Sequence, residues 1–281
     1  MKTWLRILGG LFVPMILLIV GFFIIGHKEG NQDYRDEVAE IFQAKPQFFT
    51  HAVGRLSAYE TGPPTAPRLL LIHGSPGNAL AWESFVNATR LNDRFRLIII
   101  DRPGFGESDI VEHSLGAQSK AMQSLVTAFC SPCTVVGHSY GGALAIQVAS
   151  DYPFHIQKVI SIAGTVSPKR QAPRWYNRWA QYFPIRSFLP QNWRYSNNEM
   201  LSLADDLMLL FDTLPTAMPP IVFLQGEEDV LVPFASPFDV LSEVDNASIH
   251  YRTHTNHFLI WTNIAWVYSI MVEKNKTPSV I

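Results

Sequence analysis

Residues 134–143 read Thr134-Val135-Val136-Gly137-His138-Ser139-Tyr140-Gly141-Gly142-Ala143, a short Val-rich run that passes through the pattern G-x-S-x-G into small residues. The run has the character of a buried strand, and the small residues suit the start of a helix. A serine between two such elements sits on a sharp turn above a sheet. A chain that doubles back so tightly leaves no room for a Cβ on either side, which accounts for glycine at 137 and 141. Alone, the pattern is also compatible with an ordinary strand-to-helix turn, so its neighbourhood must decide.

Outward from that turn, apolar runs of strand length recur at residues 69–73, 95–101, 159–162 and 221–224, while residues 80–91, 115–129 and 142–150 carry apolar positions at helical spacing. Strand and helix in alternation imply crossover connections, hence an α/β fold with a mostly parallel central sheet flanked by helices. A last strand is expected at residues 248–252 and a last, apolar helix at residues 258–272. Residues 167–215 break the rhythm. They hold Trp175, Tyr176, Trp179, Tyr182, Phe183, Trp193 and Tyr195 among six cations, with Glu199 the one acid before residue 200. This stretch reads as an inserted helical cap.

Composition narrows the function. The 281 residues carry 22 Lys+Arg against 24 Asp+Glu, a formal net charge of −2, so there is no global basic field to hold nucleic acid. Charged residues make up 16% and hydrophobic ones 47%, which excludes wholesale disorder. With only Cys130 and Cys133, neither a disulfide-framework miniprotein nor a four-thiolate zinc site can be built. The pair either closes a local disulfide or stays as two buried thiols. Residues 7–26 carry no charge, and as a helix they would span roughly 30 Å, the hydrocarbon thickness of a bilayer. The division expected is a transmembrane signal anchor at 1–28, a connector at 29–50 and a globular domain at 51–281. A cleaved signal peptide is the alternative. Lys2 and Arg6 before the span favour an inside N-terminus and a globular domain on the extracytoplasmic side.

Four segments, in order, give the chain a resemblance to the α/β-hydrolase fold superfamily, in its serine esterase and lipase branch with one inserted cap, over roughly residues 50–275. His73-Gly74-Ser75-Pro76-Gly77 looks like the family's oxyanion-hole loop. The resemblance implies the backbone N–H groups of Ser75 and Tyr140 as the two oxyanion donors. Asp101-Arg102-Pro103-Gly104-Phe105-Gly106-Glu107-Ser108 is similar to a family loop whose part is structural. In Gly226-Glu227-Glu228-Asp229 the resemblance implies Asp229 as the triad acid, with Glu227 and Glu228 as competitors. Thr253-His254-Thr255-Asn256-His257-Phe258 supplies the histidine: His257 matches the family position and His254 is the runner-up, while Asn256 stands where most members have glycine.

The chemistry needs these residue types. A serine hydroxyl is a poor nucleophile until an imidazole takes its proton, and the imidazole needs a carboxylate to set its tautomer and stabilise its cation. The chain order Ser139, Asp229, His257 is the one this fold requires. A carboxylate at 139 would instead have implied epoxide or haloalkane chemistry, and no metal-binding motif or cofactor is called for. The expected protein is a membrane-anchored serine hydrolase acting on carboxylic esters, apolar or lipid-like acyl groups favoured. Amide, peptide or C–C cleavage, acyl transfer, or a non-catalytic membrane interaction role are the alternatives.

Overall fold

The computed structural model describes residues 32–215 and 217–273. Eight strands form one sheet: β1 Lys45–His51, β2 Gly54–Thr61, β3 Arg68–Ile72, β4 Arg96–Ile100, β5 Cys133–His138, β6 Ile156–Ile162, β7 Ile221–Gly226 and β8 Ala247–Arg252. Their order across the sheet is β1-β2-β4-β3-β5-β6-β7-β8. The β1–β2 and β2–β4 pairs are antiparallel, and the pairs from β4 through β3, β5, β6 and β7 to β8 are all parallel.

Side-chain alternation along each strand feeds two cores. Leu70, Ile72, Ile98, Ile100 and Val135 face one side. There they meet α3 Leu115–Ala121, α4 Gln123–Phe129, α5 Tyr140–Asp151 and the 22-residue α8 Gln191–Asp212. Leu69, Leu71, Leu97, Ile99 and Val136 face the other. That side is covered by α1 Gln32–Phe42, α2 Glu83–Thr89, α9 Leu259–Thr262 and α10 Ile264–Val272. Strands buried on both faces explain why their sequences are continuous apolar runs. Between β6 and β7 lie the short helices α6 Trp175–Trp179 and α7 Ile185–Phe188, followed by α8. Cys130 and Cys133 form a disulfide at the turn from α4 into β5.

One expectation needs correction. Of the connector expected at 29–50, residues 32–50 instead form α1 and β1 of the folded domain, which therefore begins before residue 51. Tyr34, Val38 and Phe42 recur every fourth residue and are fully or nearly fully buried against the second core. β1 pairs with β2 along its whole length, from Lys45 opposite Glu60 to His51 opposite Gly54. The acidic face of α1 and the half-exposed edge strand concealed both elements. The proposed anchor, residues 1–28, lies outside the described residues. Among the described residues no helix is long and apolar enough to cross a membrane.

Candidate active site

Ser139 stands between the end of β5 and the first residue of α5, with φ 55° and ψ −123°. That conformation is reserved for glycine in ordinary backbone, so the serine is held there by its surroundings. Its N–H donates to the Ile162 carbonyl at 2.9 Å, and its carbonyl accepts from Gly142 at 2.9 Å and Thr165 at 3.2 Å. The flanking glycines are obligatory on steric grounds. A Cβ at Gly137 would lie 1.9 Å from the Gly141 carbonyl oxygen, and one at Gly141 would lie 2.5 Å from those of Ile72 and His73. A Cβ on Gly74 would come within 3.0 Å of the Ser139 Cβ, so the loop after β3 runs beside the serine.

Asp229 follows β7 and is 6% exposed. Its Oδ1 accepts from the backbone N–H groups of Leu231 and Val232 at 2.9 and 2.8 Å, and its Oδ2 accepts from Gln225 Nε2 at 3.1 Å. Oδ2 also meets His257 Nδ1 at 2.8 Å. A carboxylate there assigns the proton to Nδ1 and leaves Nε2 as the acceptor. His257 is 5% exposed and sits between β8 and α9, while the runner-up His254 has an 88% exposed side chain and pairs at 3.0 Å with Glu228, itself a surface carboxylate. The structure therefore joins Asp229 to His257, and it joins the two competitors to each other on the surface. His138, next to the serine, reaches this pair: its Nε2 lies 3.1 Å from the His257 carbonyl and its ring centroid 4.9 Å from that of His257.

The loop after β4 is more than structural filler. Asp101 accepts from the Tyr34 hydroxyl at 2.6 Å, the Tyr59 hydroxyl at 3.3 Å and the backbone N–H groups of Ala79 and Glu107 at 2.9 and 3.0 Å. Its neighbour Arg102 is wholly buried and pairs at 2.5 Å with Glu199 of α8, also wholly buried. Neither residue was singled out for a role from sequence, although Glu199, alone among the insertion's cations, was the visible signal.

Burial gives the site a distinct acid response. It pushes His138 down to about 3, helped by the neighbouring His257. It also holds His73 well below the ordinary histidine value, with Arg102 adding to the effect. Burial pushes Asp101 up to about 6 against four donors that pull it down. Below about pH 6, unfolding lets the two neutral histidines take up protons while Asp101 releases one, a net uptake. Stability should therefore fall as pH falls below about 6, the two neutral histidines outweighing the one protonated carboxyl. Urea unfolding at pH 6, 5 and 4 measures it. His138→Gln should flatten the slope, and an unchanged slope in that variant would refute the assignment.

Comparison with known proteins places this geometry. Residues 69–269 match the alpha/beta hydrolase family. Epoxide hydrolase 1 of Caenorhabditis elegans is 26% identical over 200 residues, covering 69% of this chain and 48% of that protein. The pimeloyl-(acyl-carrier protein) methyl ester esterase of Aeromonas hydrophila subsp. hydrophila is 32% identical over 102 residues, 35% of this chain and 38% of the esterase. The chain thus spans about half or less of the length of these curated relatives. The crystal structure of naproxen esterase from Bacillus subtilis superposes with a TM-score of 0.62 at 13% identity, covering 84% of this chain and 94% of that one. With the strand–turn–helix at Ser139 set in an eight-stranded, mostly parallel sheet, and the match extending from β3 into α10, the chain belongs to the alpha/beta hydrolase family.

Proposed function

We propose that the protein is a membrane-anchored serine hydrolase that cleaves carboxylic esters through Ser139, His257 and Asp229. The buried 2.8 Å contact between His257 Nδ1 and Asp229 Oδ2 carries the reading, because a binding scaffold has no use for a carboxylate that fixes an imidazole tautomer in a domain that also holds a strained serine after β5. In the first step Ser139 Oγ attacks the ester carbonyl carbon while His257 Nε2 takes the hydroxyl proton. The Ser75 and Tyr140 N–H groups receive the oxyanion. The imidazolium, stabilised by Asp229, then protonates the leaving alcohol as the C–O bond breaks. Water, deprotonated by His257, attacks the acyl-enzyme and releases the acid and the free serine. Ester cleavage is also the activity for which the Aeromonas relative is named. Epoxide opening, named for another, would call for a carboxylate nucleophile, which Ser139 is not.

Two features support an apolar, lipid-like acyl substrate. The insertion exposes Trp175 at 73% and Phe183 at 85%, together with Trp179, Tyr182 and Phe188. Arg174, Arg178 and Arg186 are interleaved with them, a combination suited to headgroup depth. The uncharged run at 7–26 supplies the anchor. Fluorophosphonate labelling followed by a series of p-nitrophenyl esters from acetyl to palmitoyl tests the reading. Labelling at Ser139 with kcat/KM rising along the series is expected, and an unlabelled, inactive wild-type protein would overturn it. Resistance to alkaline carbonate extraction, lost on deletion of residues 1–28, tests the anchor.

A further inference from the structure

Glu199 comes from the middle of α8, yet its carboxylate ends at the loop after β3. One oxygen accepts from Arg102 Nη1 at 2.5 Å and Gln118 Nε2 at 2.7 Å. The other accepts from Arg102 Nη2 at 3.2 Å and from the Ser75 hydroxyl. Arg102 then continues the chain: its Nη2 donates to the Gly74 carbonyl at 3.0 Å, and its Nη1 donates to Gln118 Oε1 at 2.9 Å. Its guanidinium carbon lies 4.6 Å from the centroids of both the Phe105 and Tyr140 rings. Gln118 Nε2 also donates to the Tyr140 hydroxyl at 3.1 Å. Glu199, Arg102 and Gln118 thus each touch Ser75, its peptide with Gly74, or Tyr140.

The second tie on Gly74 fixes a tautomer. Arg102 N–H donates to His73 Nε2 at 3.0 Å, so the neutral ring carries its proton on Nδ1 and donates it to the Gly74 carbonyl at 2.7 Å. The Gly74 carbonyl is thus held by two donors, one of them charged. In a trans peptide the N–H of the next residue points the opposite way from the carbonyl, so clamping the Gly74 oxygen against Arg102 turns the Ser75 N–H away from Arg102 and polarises it as a donor. A buried ion pair is weak as a device for stability alone, since desolvation offsets its attraction. Its placement is better explained by geometry.

We propose that Glu199 is a positioning residue that couples the seating of α8 to assembly of the oxyanion hole, holding Ser75 directly and the Gly74–Ser75 peptide and Tyr140 through Arg102 and Gln118. This rests on the ester hydrolase reading given above. The oxyanion donors are aligned only while the insertion is closed on the sheet, so substrate that displaces α8 also disarms the site.

The test compares an oxoester with the matching thionoester, whose sulfur gains far less from hydrogen-bond donors shaped for an oxyanion. Glu199→Gln keeps the side chain's shape and removes its charge. It is expected to lower kcat on the oxoester about 10- to 100-fold with KM within about twofold, and to shrink the oxoester/thionoester rate ratio by a similar factor. A purely structural role would slow both substrates alike and leave the ratio intact, which would overturn the proposal, as would a wild-type kcat. Should that variant not fold, Ser75→Ala removes one hydroxyl while keeping the N–H and the Arg102–Glu199 pair. Its ratio should fall, and an unchanged ratio overturns the proposal. Failure of the underlying reading looks different: the wild-type protein itself would be inactive and unlabelled at Ser139.

Discussion

Replacing Ser139 with alanine is expected to lower kcat for ester hydrolysis by about a millionfold, to the level left by binding and the oxyanion donors alone, and to abolish fluorophosphonate labelling. The hydroxyl is the one group whose loss deletes the covalent step. Replacement with glycine should have the same kinetic effect and an opposite effect on the fold. A residue at φ 55° and ψ −123° costs on the order of 1–3 kcal/mol that glycine does not incur, part of which is offset by glycine's freer unfolded chain. Ser139→Gly should therefore unfold at higher urea than Ser139→Ala. Intact-mass analysis after labelling and paired urea titrations check both halves. A Ser139→Ala variant that still turns over ester would remove the serine from the reaction.

The second large effect separates two histidines three residues apart. His257→Ala is expected to cost about four to six orders of magnitude in kcat, because general base and general acid are lost together. Asp229→Asn should cost about 10⁴-fold, since an amide against Nδ1 favours the wrong tautomer. His254→Ala removes only an exposed pair with Glu228 and should change kcat by less than about twofold. Single-turnover kinetics on one activated ester rank the three variants. If His254→Ala were the damaging one, the pairing at Asp229 would not be the working one.

What sequence could tell follows from burial. The central strands were legible because a strand covered on both faces is a continuous apolar run, as in Leu69-Leu70-Leu71-Ile72 or Leu97-Ile98-Ile99-Ile100. β1 and α1 were not, since an edge strand and a helix with Asp33, Asp36, Glu37 and Glu40 around one apolar stripe resemble a solvated linker. Expected single helices at 115–129 and 258–272 are each broken, at Met122 and Asn263, where the apolar spacing carries on across a local kink. Ser139 was marked by its glycines. Asp229 and His257 were named through family resemblance, as nothing in spacing alone separates them from Glu228 and His254. The Arg102–Glu199 pair joins positions 97 residues apart, a contact that only the packing of α8 onto the sheet creates.

Under the anchoring proposed above, the early start of the folded domain would set the length of the leash. The apolar run ends at Gly26 and α1 already includes Gln32, so five residues, 27–31, lie between the two. Fully extended, five residues reach at most about 18 Å, whereas the 22 residues once expected as a connector could have reached about 75 Å. An enzyme on a long leash samples a hemisphere of solvent and meets diffusing solutes from any side. With the anchor proposed above, so short a leash would keep the domain turning within a thin shell above the bilayer and make the lipid surface its largest and most frequent neighbour.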